Sequence, residues 1–74
     1  MTAHNVDKLV MMANQIAAFF ATQPGTTQAA DVAAHLKAFW EPRMLAAFHA
    51  HVDAGGEGLS PLALEAAARL RPPA

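Results

Sequence analysis

The chain has 74 residues, no cysteine and a formal net charge of −1. That length suits a single domain spanning residues 1–74, and the missing thiols exclude disulfides and thiolate-ligated zinc or iron–sulfur sites. Five scattered basic residues make neither the stripe that nucleic acid requires nor a basic membrane-surface helix, so neither partner is expected.

The first helix is predicted over residues 6–21. Asn5 is placed to cap it, and Val6, Leu9, Val10, Ala13, Ile16, Ala17 and Phe20 recur at three- and four-residue spacing. Asp7, Asn14 and Gln15 fall outside that stripe, while Met12 and Phe19 sit at its edge. They widen the apolar arc to about half the circumference, more than a core-facing helix needs. Either they are peripheral core or they belong to a partner-facing patch.

Thr22-Gln-Pro-Gly-Thr-Thr27 reads as a loop, with Thr26 or Thr27 capping a second helix over 28–40. Its inward stripe is Ala29, Val32, Leu36 and Phe39, with Trp40 near the edge; Asp31 and Lys37 point away. Proline cannot donate a backbone hydrogen bond and disfavours helical geometry in the residue before it. Both handicaps vanish at the first position of a helix. Pro42 therefore ends the second helix and opens a third over 42–53, with Glu41 as N-cap; one continuous, kinked helix is the alternative.

Met44, Leu45, Phe48 and Val52 face inward on the third helix, which stops at Asp53-Ala-Gly-Gly-Glu-Gly58. Ser60-Pro61 restarts the chain as N-cap and first helical residue of a fourth helix over 61–71, ahead of Pro72-Pro73. Leu59 and Leu64 occupy the two positions of a hydrophobic staple, and Glu65 and Arg69 form an i,i+4 pair. The expected fold is all-α, a small bundle of about four helices. Of the 40 hydrophobic residues 19 are alanine, so the core is thin and depends on its five aromatic side chains.

No chemistry-bearing set stands out. His49 and His51 are two apart and point about 200° away from each other on a helix, and His35 lies on another helix. Thr2, Thr22, Thr26, Thr27 and Ser60 all suit caps or turns, and none has the strained setting of a nucleophile. The GGEG run at 55–58 lacks the lysine and strand-to-helix context of a phosphate loop. Catalytic, cofactor-binding and metal-binding residues are thus all expected to be none. Surface chemistry remains. Trp40 serves either core or interface, and Arg43 either pairs with Glu41 or Asp53 or offers its planar fork to a partner. The candidate partner-binding residues are Arg43, Trp40, Met12, Asn14 and Phe19.

Three segments, KLVMMANQIAAFF, HLKAFWEPRM and HVDAGGEGLSPLALEAAARL, cover most of the chain. Together they resemble the delta subunit of NAD-dependent, molybdenum-containing formate dehydrogenase. The combination MANQI-x-x-FF, FW-x-PRM and DAGG-x-GL-x-PL is far more specific than any one part. Glu41 departs from the aspartate that this family often carries before Pro-Arg-Met, and its longer side chain makes a weaker cap.

The resemblance implies membership of a bacterial complex that converts formate and NAD to carbon dioxide and NADH. Its alpha subunit holds a molybdenum bis-pterin cofactor and iron–sulfur clusters, its beta subunit flavin, and its gamma subunit an iron–sulfur centre. Delta is implied to be an accessory subunit without a redox centre, not itself an enzyme. It would bind alpha and support assembly, stability or cofactor maturation. Alternatives are a transient maturation chaperone for the molybdenum-cofactor subunit and an unrelated helical homo-oligomer or adaptor. The N-terminal MTAHNVDKLV lacks the pattern of a secretory signal, and no apolar run approaches membrane-spanning length, so the cytoplasm is the expected location.

Overall fold

The computed structural model describes residues 6–70. Within them the chain forms four α-helices and no strand: α1 (Val6–Ala21), α2 (Gln28–Phe39), α3 (Pro42–Asp53) and α4 (Pro61–Leu70). The expected caps at Asn5 and helix end at Arg71 lie outside the described residues.

A shared core explains why four short helices hold together. Leu9, Ala13 and Ala17 of α1 meet Val32, Ala33 and Leu36 of α2, Phe48 of α3, and Ala63, Ala66 and Ala67 of α4. Phe48, Leu36 and Val32 are the largest side chains fully enclosed. Helix α2 makes its most extensive contact with α4, where Ala63, Ala66 and Ala67 lie buried at three- and four-residue spacing. A methyl is the smallest side chain with a Cβ, so this face lets the helix axes approach closely and fill the space between them.

The starts of α2, α3 and α4 are not built alike. At α4 the Ser60 hydroxyl accepts from the Ala63 amide at 3.2 Å, a true side-chain cap. At α2 the N-cap is Thr27, but its hydroxyl donates to the Asp31 carboxylate at 3.1 Å and caps no amide. At α3, Pro42 stands in the first turn and Glu41 occupies the N-cap without a side-chain bond. The α2–α3 junction is a break rather than a kink, because both Trp40 (φ −91°, ψ 136°) and Glu41 (φ −68°, ψ 156°) are extended.

That break corrects the expected orientation of the two neighbouring rings. Helix α2 ends at Phe39, one residue short of the predicted end. Phe39, expected inward, is 72 % exposed, whereas Trp40 is 6 % exposed. Trp40 leaves the helical path, so its direction no longer follows the 100° step, and its indole packs edge-on against Phe48 at 5.5 Å. Val6 is likewise exposed rather than inward.

The α3–α4 connection is the most elaborate part of the chain. The Gly56 amide donates to the His51 carbonyl at 2.9 Å and the Gly55 amide to that of Val52 at 3.0 Å. These two bonds form a Schellman closure, for which Gly55 supplies the positive φ of 125°. Gly56 is also positive, at φ 65°. A Cβ there would come within 2.6 Å of Leu64 and 3.8 Å of Leu59, so both staple side chains close directly over bare backbone.

Candidate functional site

The residues nominated from sequence divide into two groups. Asn14 and Trp40 serve the interior. The Asn14 side-chain amide donates to the Gly58 carbonyl at 2.8 Å, and its oxygen accepts from the Ser60 amide at 2.9 Å. One side chain on α1 thus fastens the end of the loop that leads into α4, on either side of Leu59. His51 adds a second fastener, with Nε2 2.8 Å from the Glu57 carbonyl. Trp40 is enclosed as described, so the folded chain offers no indole face to a partner.

Arg43, Met12 and Phe19 form the other group. Arg43 is exposed on the first turn of α3, Met12 is half-buried against the core, and Phe19 is 62 % exposed near the end of α1. Of these three only Phe19 lines a groove described below. The structure joins Phe19 instead to residues that periodicity had assigned elsewhere.

A continuous aromatic ridge runs across α1 and α2. Phe19 meets Phe20 edge-on with ring centroids 5.2 Å apart, Phe20 meets His35 at 6.0 Å, and His35 lies tilted on Phe39 at 4.6 Å. His35 and Phe39 are one helical turn apart on α2, which brings the two rings over each other. Beside the ridge lies an open groove of about 240 Å³ lined by Gln15, Ile16, Phe19, Phe20 and His35. A second groove of about 330 Å³ runs along Asn14, Ala17, Ala18, Ala21, Ser60, Pro61 and Leu62.

Sequence reasoning placed Phe39 inward and so missed it as a surface residue, whereas half-buried His35 agrees with a surface or partly buried histidine. The i,i+4 spacing of His35 and Phe39 was a usable signal for a ring pair. Nothing in linear order, however, showed that Phe39 would flank the core rather than enter it. Among the described residues no group of three or more histidine, aspartate or glutamate side chains is placed to hold a metal ion. No helix among them is long and apolar enough to cross a membrane.

A family model described as NADH-dependant formate dehydrogenase delta subunit FdsD matches residues 8–67. The chain belongs to the formate dehydrogenase delta-subunit family. The match begins two residues into α1, runs through the FWEPRM junction and the α3–α4 loop, and ends in α4. The ridge and both loop fasteners therefore lie inside the delta-subunit region. A comparison with curated proteins gives no significant match. As a delta subunit, the chain has the other formate dehydrogenase subunits as its partners.

Proposed function

We propose that this delta subunit is a non-catalytic accessory component of a cytoplasmic NAD-dependent formate dehydrogenase. It binds the catalytic alpha subunit and supports assembly, stability or cofactor maturation of the complex. The observation that carries this reading is the family match across residues 8–67, in a chain whose most concentrated surface feature is apolar. Exposed aromatic rings in a small helical domain suit contact with another protein better than proton or electron transfer.

Arg43 supplies a polar element of the same contact. Its guanidinium is exposed at the start of α3, where a planar fork can meet a carboxylate or backbone carbonyls. Co-expression with a tagged alpha subunit tests the reading: the chain co-purifies in fixed proportion, and its failure to associate overturns the proposal. Arg43→Ala leaves helicity and melting temperature unchanged and weakens association by roughly 1–3 kcal/mol, within the range of an interface arginine. Early melting with normal binding would make Arg43 an internal strut instead.

A further inference from the structure

We infer that the aromatic ridge and its groove are the docking point for one large apolar side chain delivered by another subunit of the dehydrogenase. The inference rests on the proposed accessory role and gives that role a location. The groove is about 240 Å³, below the roughly 300–1,000 Å³ of small-molecule and cofactor pockets, but ample for an aliphatic or aromatic side chain. Its lining holds no carboxylate, lysine or arginine, so it attracts neither a phosphate nor a charged peptide. Gln15 and His35 provide polar atoms beside the apolar wall, suited to the backbone that carries the inserted side chain.

Membership of the delta-subunit family, which gives the chain the other dehydrogenase subunits as partners, favours a different subunit over a second copy. Phe19 and Phe39 are 62 % and 72 % exposed. At roughly 200 Å² per aromatic ring they present about 270 Å² together. Even matched by an equal area from the partner, these rings bury about 540 Å², well under the ~1,200 Å² of a stable interface. The ridge is therefore the anchor of a broader contact. Arg43 follows Phe39 by four residues, a reach of at most about 14 Å, so a larger partner surface can cover both. In this arrangement Phe39 takes the interface role that the neighbouring indole cannot.

The test is co-purification with the dehydrogenase subunits, using the wild-type chain and three variants. Phe19→Ser with Phe39→Ser removes the anchor. The two lost ring contacts lower the melting of the isolated chain somewhat, so association is compared at a temperature where circular dichroism shows both chains folded. Gln15→Trp fills the groove while leaving all four rings in place, and it tests the same site should the double variant fold poorly. Met11→Ser is the control, removing a side chain 57 % exposed eight residues from Phe19, about 12 Å along α1. The expected result is at least a tenfold loss of association for the first two variants and none for the control. Wild-type association by both ridge variants overturns the inference while the accessory role stands. Absence of association by the wild-type chain overturns both. An isolated wild-type dimer that the ridge variants convert to monomer makes a second copy the occupant and also overturns it.

Discussion

At the residue scale, Asn14 does more than its place in the sequence suggests. Periodicity puts it on the polar flank of the first helix, where a surface role is the natural expectation. In the fold both ends of its amide are engaged by backbone 44 and 46 residues away. No pattern in linear order connects an asparagine in the third turn of α1 to a carbonyl before the fourth helix, so this contact was not legible. Asn14→Ala leaves the part-buried Ser60 amide without its acceptor, while the exposed Gly58 carbonyl turns to water. We expect a loss of about 1–3 kcal/mol, read as a lower denaturation midpoint of the isolated chain. Asn14→Asp restores the acceptor for Ser60 but not the donor for Gly58, and it recovers only part of that loss. Trp40 is the other case: proline chemistry accounts for the extended Glu41, but the extended Trp40 before it follows from packing against Phe48.

At the scale of elements, much more was visible. Caps, glycines and prolines mark helix boundaries locally, and Ser60-Pro61 is the clearest instance because its cap bond spans only three residues. The fourfold all-helical pattern follows from such punctuation and from stripes at 3.6-residue spacing. What the stripes could not rank was which alanines matter. Ala66 and Ala68 are near neighbours with the same side chain, yet Ala66 is wholly buried and Ala68 exposed. Ala66→Leu adds hydrophobicity where there is no room. It should cost about 1–3 kcal/mol through displaced packing, visible as earlier thermal melting. Ala68→Leu should melt within about 0.5 kcal/mol of wild type, as surface substitutions usually do.

At the scale of the whole molecule, the radius of gyration of 11.6 Å is near the roughly 11 Å expected for a folded domain of this length. Among the described residues, seven of the thirteen buried hydrophobic ones are alanine. Alanine contributes little transfer energy, so the isolated subunit is expected to be only modestly stable. Binding that favours the folded form adds RT ln(1 + [L]/Kd), about 2.7 kcal/mol when the partner stands at a hundred times its dissociation constant. Thermal melting of this chain should therefore shift upward in the presence of the alpha subunit. The shift, taken relative to each chain's own melting in isolation, should shrink for Phe19→Ser with Phe39→Ser. The site was legible only in outline: the apolar edge of α1 pointed to Phe19, but the ridge needed α2 beside it.

The Asn14 fastener also divides the backbone amides at the start of α4 into two kinetic classes. The Ala63 proton is held by the Ser60 hydroxyl three residues away, so fraying of that one turn releases it to solvent. The Ser60 proton is held by a side chain from the far end of the chain, so it exchanges with deuterium when α1 and the loop separate. Its protection factor therefore measures the free energy of that larger opening. A single resonance, read with and without the other subunits, reports whether the complex tightens the bundle itself or grips only its surface.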